Sequence, residues 1–506
     1  MTTYAAIDIG SNSCRLKIAG VHKHRLRTLH EDREVTRLGE SVFDGGVVSP
    51  EAMANTIRAL RRFHKAVQAH AVDRIRVVAT SAMRDARNQS AFVTWVHSAT
   101  GWKVEIISGL EEGRLIQLGV TANEPGARGK CLLVDLGGGS CEITHSEQGR
   151  IREMVSLPLG AVRLTREFLR HDPPQPEEIA RMQRFIQREL RRAERKLGDL
   201  GVRTVYATSG TAAALAAASD AKKKNPNTAM AKAASVYALT EKLTRMADLQ
   251  RAGVPGIGPR RSEIIIAGAH VYTALLDRLH LPGFRYSPMG LRDGMLALML
   301  AESEQHTTAH HRFEEERWSS VLELCKHYGV DAKRAEPVRA TASQLFTALQ
   351  RVHEMPRDYR VWLEAAAMMH ETGKFMNYQG HHRHTQYIIA NSELYGFTPE
   401  QRAITAAIAR YLGKSRPSAN DRALRGVPMQ EQRNVQRAVV LLRLAVALHQ
   451  DRASDVQRIR VNVQPKQVRL RITPGRTGAE LEFWSVRKET AYFREVFGRE
   501  LTVTLD

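Results

Sequence analysis

Two short stretches of the sequence repeat one another, and this repeat constrains the fold more than any other feature. The first stretch runs from Asp8 to Arg15 and the second, 127 positions later, from Asp135 to Glu142. In both, the order is Asp, one apolar residue, Gly, two small residues, Ser and Cys. An apolar run precedes each Asp and another follows each turn, which is typical of buried strands. The repeat therefore predicts two strand–turn–strand hairpins, one in each of two α/β halves.

The chemistry that fits such a hairpin is phosphate binding. A tight turn of small residues presents several backbone N–H groups to one point and binds an anion without a charged side chain. Glycine permits close approach of the backbone. The Asp beside the turn repels phosphate, but it suits Mg²⁺, which bridges to phosphate oxygens. A single Asp-x-Gly turn is usually structural, whereas two copies in the same order are hard to explain by chance.

Other small-residue loops follow predicted strands, at the position where α/β proteins gather their sites. Residues 80–85 follow a buried strand and contain Arg84, and residues 108–114 follow a short strand and contain Glu111 and Glu112. Residues 208–211 lie between a strand and an Ala-rich helix, an arrangement that binds anions at the helix N-terminus. The alternative for this last loop is a simple helix cap.

The charge of the chain points to a polyanionic partner. The formal net charge is +21, which favours nucleic acid, an anionic membrane or a polyphosphate as partner. The alternative is an arginine-rich proteome with a solvated basic surface. Only 6% of residues are aromatic and none alternate with basic residues, which argues against nucleic acid. Residues 222–224 form a basic loop that either lines a polyanion path or is simply solvated.

The sequence gives no sign of export or of a disulfide framework. The four cysteines form no Cys-x-x-Cys pair, so neither a zinc knuckle nor a disulfide frame is indicated. No signal peptide fits the N-terminus, and no apolar run has the length needed to span a bilayer. We therefore expect a cytoplasmic protein without membrane insertion.

The pattern divides the chain into four domains. Two α/β domains are predicted over residues 1–125 and 126–303, followed by a polar, His-rich linker over 303–312. A helical domain is predicted over 312–455 and a small β-rich domain over 456–506, where apolar residues alternate with a period of two. We expect residues 481–484 to add a third strand to this last domain.

Six ordered motifs support a family resemblance that covers essentially the whole chain. The hairpins resemble the two phosphate loops of the actin, sugar-kinase and heat-shock-chaperone ATPase superfold. The amino-acid sequences of the two hairpins, together with residues 80–84, 108–112, 209–211 and 290–294, resemble those of the exopolyphosphatase and guanosine-pentaphosphate phosphohydrolase family. The resemblance implies two actin- and sugar-kinase-like (ribonuclease H-like) α/β domains, an all-α HD-like domain, a small β-rich end and a homodimer.

The resemblance also implies roles for individual residues. Glu112 matches the family's proposed base for water activation; its alternative is a surface carboxylate in a first helical turn, and Glu111 suits that description. Arg84 would contact phosphate oxygens, and Arg15 takes the position that Glu142 holds in the second repeat. The expected metal ligands for Mg²⁺ (or Mn²⁺) are Asp8, Asp135 and Glu142. The expected phosphate-binding residues are Ser11, Asn12, Ser13, Arg15, Gly137, Gly138, Gly139, Ser140, Ser209, Gly210 and Thr211.

The helical domain departs from true HD phosphohydrolases, which use a His-Asp pair and further His ligands. The pair here is His370-Glu371, and Leu412 stands where related long members often have a His. A hydrolytic metal site is therefore not expected there, and His382 and His384 suit capping, polyanion contact or packing. This domain is expected to extend the polyanion path and to support dimerisation.

The leading functional prediction is a hydrolase of phosphoric anhydrides, an exopolyphosphatase that removes terminal phosphate from polyphosphate with Mg²⁺. The second is removal of the γ-phosphate of guanosine pentaphosphate (pppGpp). An ATP-dependent kinase on the same superfold lacks an adenosine-binding signature and leaves the Glu-Glu motif unexplained. A non-catalytic polyphosphate or nucleotide sensor remains as a fourth hypothesis.

Overall fold

The structure, a computed structural model, describes residues 2–197, 201–202, 204–219, 230–303, 308–413, 415–418, 421–450, 456–475 and 478–505. The chain divides into two compact units, Met1–His310 and His311–Asp506. The basic loop at 222–224 and part of the expected linker lie outside the described residues.

The first unit begins with a five-stranded sheet in the order β3-β2-β1-β4-β5. β1 pairs antiparallel with β2, and β2 with β3, whereas β1–β4 and β4–β5 are parallel. The strands are β1 Thr3–Ile9, β2 Ser13–His22, β3 Arg25–Val35, β4 Arg74–Ala79 and β5 Val104–Ile106. The helices are α1 Leu38–Gly45, α2 Pro50–Ala69, α3 Ser81–Asp85, α4 Gln89–Thr100 and α5 Gly109–Asn123, and a 3₁₀ turn spans Pro125–Arg128.

The second half of this unit repeats the same topology. Its sheet has the order β10-β11-β9-β6-β7-β8, with β6–β7 and β7–β8 antiparallel and β6–β9 and β9–β11 parallel. The strands are β6 Cys131–Leu136, β7 Cys141–Glu147, β8 Arg150–Leu157, β9 Val205–Thr208, β10 Met230–Lys232 and β11 Gly283–Tyr286. The helices are α6 Ala161–Phe168, α7 Pro176–Leu197, α8 Ser209–Ser219, α9 Ala233–Thr244, α10 Asp248–Ala252, α11 Ile265–Arg278 and α12 Leu291–Ser303.

The two sheets therefore correspond strand by strand, with β6 in the place of β1 and β7 in the place of β2; β10 is an extra edge strand. This duplication fits the predicted actin- and sugar-kinase-like α/β fold. The central strands form because their apolar runs are covered on both faces: every residue of β6 is buried, and so are all but one of β1.

Helix α2 shows how local sequence sets an element boundary. Ser49 is the N-cap, and its side chain accepts a hydrogen bond from the Ala52 backbone N–H, while Pro50 occupies the first helical position. Apolar residues at helical spacing, among them Ile57 and Phe63, are buried against the first sheet's core. This helix was predicted from the same residues.

The second unit packs helices and one small sheet around a single core. The sheet has the order β12-β13-β14, with β12–β13 antiparallel and β13–β14 parallel. Its strands are β12 Val456–Val463, β13 Gln467–Pro474 and β14 Glu500–Leu505. The helices, the first of which begins just before the division between units, are α13 Thr308–His327, α14 Ala332–Ala348, α15 Gln350–His353, α16 Tyr359–Met369, α17 His381–Asn391, α18 Pro399–Arg410, α19 Gln432–Ala447 and α20 Glu480–Phe497. Three short 3₁₀ segments span Thr372–Phe375, Arg422–Leu424 and Met429–Glu431.

Two sequence predictions in this region are wrong. Residues 481–484 do not form a strand: they open α20, and the third strand is β14. The C-terminal region therefore combines three strands with a helix of 18 residues. The expected linker at 303–312 is shorter than predicted, because α12 continues to Ser303 and α13 begins at Thr308.

No helix in the described part of the chain combines the length and apolarity that a membrane span needs.

Candidate active site

The two repeated stretches form superimposable hairpins. In β1–β2, Asp8 pairs with Arg15; in β6–β7, Asp135 pairs with Glu142. Each turn is closed by the same hydrogen bond, from Gly10 N to the Ser13 carbonyl at 3.2 Å and from Gly137 N to the Ser140 carbonyl at 3.0 Å. Arg15 and Glu142 therefore occupy equivalent positions in the two hairpins, as predicted, because each pairs with the Asp of its own hairpin. We call residues 10–13 loop 1 and residues 137–140 loop 2.

Both loops line one polar cavity of about 390 Å³ within the first unit. Segments from both halves surround it, including the strand-end loop at Thr80, the start of α8 and the loop before α12. The sequence-predicted site residues in its lining are Asp8, Ser11, Asn12, Ser13, Arg15, Glu112, Asp135, Gly137, Gly138, Gly139, Ser140, Ser209 and Gly210.

Three carboxylates form a cluster at this cavity. Glu112, Asp135 and Glu142 each offer an oxygen within 4.8 Å of the others, and all three side chains are buried. Asp8, the remaining predicted metal ligand, lines the cavity but is not part of this cluster. The cluster thus contains the predicted base, Glu112, together with two predicted metal ligands.

Burial raises the pKa of these carboxyl groups. Removal from water raises the pKa of Glu112 to about 7, even though the neighbouring Arg84 guanidinium lowers it. Burial, together with repulsion from Glu112 and Asp135, raises the pKa of Glu142 well above its ordinary value. The pKa of Asp8 is raised by burial against the opposing effect of Arg15.

Neighbouring polar groups fix the orientation of the cluster. Arg84 on α3 donates to Glu112 Oε2 at 3.0 Å, to the Ile107 carbonyl at 2.8 Å and to Ser140 Oγ at 3.3 Å. Ser156 Oγ donates to Glu142 Oε1 at 2.7 Å. Asp135 in turn accepts hydrogen bonds from Thr208, the last residue of β9, and from Ser209, the first residue of α8. Arg84 therefore links the base candidate directly to loop 2.

The residues fit a bound divalent cation. Within the described structure, Asp8 Oδ1 and Glu142 Oε2 are buried without a hydrogen-bond partner, a costly state for a carboxylate oxygen. Carboxylate oxygens are the ligands that Mg²⁺ prefers, and a cation would offset the mutual repulsion of the cluster. Asp8, Asp135 and Glu142 are thus chemically suited to the predicted role.

The cavity also contains cationic residues that the sequence analysis did not assign. Arg33 from β3, Arg261 and Arg292 all line it, as does Tyr286. Burial and the positive charge of neighbouring arginines lower the pKa of Arg261 to about 9 and that of Arg33 to about 10. A bound anion would offset the repulsion among these positive charges. Arg292 belongs to a motif noted in the sequence, whereas no local signal identified the other two.

Three predicted site residues, Arg84, Glu142 and Thr211, do not line the cavity. Arg84 and Glu142 contact residues that do, as described above. Thr211 is buried against α11, where a methyl group on Gly268 would come within 2.5 Å of Thr211 Cγ2.

Glu111, expected as a surface carboxylate, is not freely solvated. It accepts two hydrogen bonds, at 2.8 and 2.9 Å, from Arg114, whose side chain is only 2% exposed.

A duplicated α/β fold with two small-residue hairpin loops beside buried carboxylates fits a protein of phosphoryl chemistry. Comparison with family models makes this specific: the model of the Ppx/GppA phosphatase family matches residues 17–303. The chain belongs to this family of phosphohydrolases. A model of Ppx/GppA phosphatase domain III matches residues 317–481, which shows that the chain is a long form.

Several solved structures resemble a little more than half of this chain. An exopolyphosphatase-like protein is 30% identical, with a TM-score of 0.55 and coverage of 58% of this chain and 96% of its own. The Aquifex aeolicus Ppx/GppA family member is 29% identical, with a TM-score of 0.52 and coverage of 60% and 99%. An exopolyphosphatase from Cytophaga hutchinsonii shares the fold, at 23% identity, a TM-score of 0.56 and coverage of 60% and 98%.

Proposed function

We propose that this protein is an exopolyphosphatase that releases terminal phosphate from inorganic polyphosphate with Mg²⁺. The observation that carries the proposal is the position of Glu112. Its carboxylate lies in the cavity between the two loops, with a pKa raised to about 7 and a hydrogen bond from Arg84. A general base is most effective when its pKa lies near the working pH.

In the proposed reaction, water attacks the terminal phosphorus while Glu112 accepts its proton. The anhydride P–O bond breaks, and orthophosphate and a chain shorter by one phosphate leave. Arg84 would hold a phosphate oxygen and orient Glu112, and the N–H groups of both loops would bind successive phosphates. Mg²⁺ held by Asp8, Asp135 and Glu142 would neutralise charge on the phosphate oxygens.

The second unit favours a long polyanion as substrate. One face of its sheet carries exposed arginines at Arg458, Arg460, Arg469 and Arg471, and Arg460 lies directly opposite Arg471 across the strands. Among the described residues that line the groove on this face, none is acidic or aromatic. The face thus suits phosphate groups but offers no surface for stacking bases.

One observation favours pppGpp as the alternative substrate. A side cavity of about 350 Å³ shares Arg33, Arg261 and Tyr286 with the main cavity. Its wall is formed largely by the methyl groups of α8, among them Ala213 and Ala217. Apolar surface beside arginines can hold a nucleoside while its phosphates remain in the main cavity.

The test is phosphate release in Mg²⁺ from long polyphosphate and from pppGpp at matched phosphate concentration. Glu112→Gln removes the base and keeps the shape of the side chain. Glu51→Gln is the matched control, because Glu51 also lies in the first turn of a helix but is exposed on α2. We expect rapid release from polyphosphate that is lost in Glu112→Gln and retained in Glu51→Gln.

The other outcomes separate the alternatives. Faster release from pppGpp would replace the proposed substrate and keep the base. Binding of polyphosphate without any release would contradict the enzymatic proposal and favour the sensor. Full activity of Glu112→Gln would exclude Glu112 as the base.

A further inference from the structure

The carbonyl groups of the three loop 2 glycines, Gly137, Gly138 and Gly139, all accept hydrogen bonds from the start of α6. This orientation matters because a carbonyl oxygen repels phosphate, so a phosphate loop needs its N–H groups on one side and its carbonyl groups on the other. The loop packs directly on α6, because a Cβ atom at Gly160 would overlap the Gly139 backbone. The hydrogen bonds run from Ala161 N to Gly137 O at 3.0 Å, from Val162 N and Arg163 N to Gly138 O at 2.9 and 3.0 Å, and from Arg163 Nε to Gly139 O at 2.8 Å.

Loop 1 has the same arrangement with one difference. The Ser11 carbonyl accepts from Gly39 N at 2.7 Å, and the Asn12 carbonyl accepts from the backbone N–H groups of Thr36 and Arg37, both at 3.1 Å. Asn12 is the counterpart of Gly139 in the repeat. Backbone donors before α1 therefore fix this carbonyl in loop 1, whereas in loop 2 the same task falls to the side chain of Arg163.

The Arg163 guanidinium makes further contacts that hold it in place. It donates to Ser81 Oγ at 3.2 Å, pairs with Asp85 and lies over the Phe43 ring at 4.2 Å from the centroid. Ser81 and Asp85 belong to α3, the helix that also carries Arg84. The side chain is therefore pre-organised between α3 and loop 2, with little freedom to lose when it binds the Gly139 carbonyl.

We propose that Arg163 is a positioning residue for phosphate binding. Its Nε–H holds the Gly139 carbonyl away from bound phosphate, so that the N–H groups of loop 2 stay directed into the cavity. The inference rests on the proposed function only in taking the ligand to be a phosphate chain. Arg163 acts through the loop and is not itself a phosphate ligand.

The experiment measures tripolyphosphate binding by calorimetry together with KM and kcat for polyphosphate. Arg163→Gln and Arg163→Ala remove the guanidinium, and added guanidinium ion is used to rescue Arg163→Ala. Arg166→Gln is the control: it removes a guanidinium from the same helix, but one that pairs with Asp44 of α1. Circular dichroism and thermal unfolding restrict the comparison to folded protein, and Gly160→Ala serves as a second perturbation of the same contact.

We expect at least tenfold weaker tripolyphosphate binding and a matching rise in KM for Arg163→Gln, with a smaller change in kcat. Guanidinium should restore binding to Arg163→Ala, a result that a general loss of stability cannot produce. Arg166→Gln should bind within twofold of the wild type. Unchanged binding in folded Arg163→Gln, or equal losses in Arg166→Gln, would overturn the proposal. If the wild type binds polyphosphate without cleaving it but Arg163→Gln binds weakly, the proposed function fails and the positioning role stands.

Discussion

The hydrogen bond from Ser156 to Glu142 allows the metal proposal to be tested quantitatively. The bond is 2.7 Å long and reaches a carboxylate whose other oxygen is buried without a partner in the described structure. Ser156→Ala removes a hydrogen bond to a charged group, a loss of about 1.5–3 kcal/mol. Without it the pKa of Glu142 rises further, because the charged form loses its donor, and a proton then competes better with the metal.

The expected result is weaker Mg²⁺ binding rather than slower chemistry. At about 1.4 kcal/mol per factor of ten, the lost bond predicts roughly a tenfold to hundredfold rise in the half-saturating Mg²⁺ concentration. Phosphate release at saturating Mg²⁺ should stay within about twofold of the wild type, since the proposed base, Glu112, is untouched. The assay is a Mg²⁺ titration of phosphate release, with calorimetric Mg²⁺ binding as a readout that does not require turnover.

Ser146→Ala provides the matched control. Ser146 is a buried serine of the same sheet, and it accepts a hydrogen bond from Gln117 at 3.1 Å, outside the carboxylate cluster. It should shift stability but not the Mg²⁺ dependence. An unchanged Mg²⁺ dependence in folded Ser156→Ala would refute the reasoning, and so would equal shifts in the two variants.

Three further predictions follow from particular contacts. Gly119→Ala should lower the free energy of unfolding by about 1–3 kcal/mol in urea, because the new methyl group would overlap the Gly290 backbone carbonyl. Hydrogen bonds from His171 and from the backbone of Gln175 outweigh the effect of burial and lower the pKa of Glu178 to about 2. The ionised side chain therefore stabilises the fold above its unfolded pKa of about 4.3, and this stabilisation is lost as the pH falls toward 2. In Glu178→Gln the free energy of unfolding, measured by denaturant titration, should fall less steeply below pH 5 than in the wild type. Arg460→Gln combined with Arg471→Gln should raise KM for long polyphosphate several-fold and leave KM for tripolyphosphate unchanged, as measured by phosphate release.

The sequence was sufficient for the hairpins, whereas most of residues 80–85 and 108–114, predicted as loops, form α3 and the start of α5. Asp8 and Asp135 could be placed at strand ends because each follows an apolar run and precedes a turn of small residues, and the repeat removed the ambiguity of a single motif. Strand duplication then followed from the same pattern. The structure adds the register, which places Arg15 opposite Asp8 and Glu142 opposite Asp135.

Other features depend on tertiary contacts that no local pattern encodes. Arg33 and Arg261 are far apart in sequence and meet only because both halves border the cavity. Glu111 and Arg114 have the spacing of a helical ion pair, but the burial of Arg114 follows from the packing of α5. The prediction of a strand at 481–484 was wrong because four residues are too few to distinguish the two-residue period of a strand from the 3.6-residue period of a helix. Glu482, Val486 and Phe493 are buried on one side of α20 and show the helical period.

The two copies of the hairpin share their register but differ in charge at one paired position. With a glutamate at both paired positions, a further carboxylate would be added to a site where burial already raises the pKa of Asp135, and burial and repulsion raise that of Glu142. With an arginine at both, the cluster suited to a divalent cation would lose Glu142. Instead, Arg15 opposes the burial that raises the pKa of Asp8, while Glu142 completes the carboxylate cluster. In the proposed reaction one copy of the hairpin would thus supply a cation for phosphate and the other a carboxylate for metal, and a phosphohydrolase needs both within reach of a single phosphorus atom.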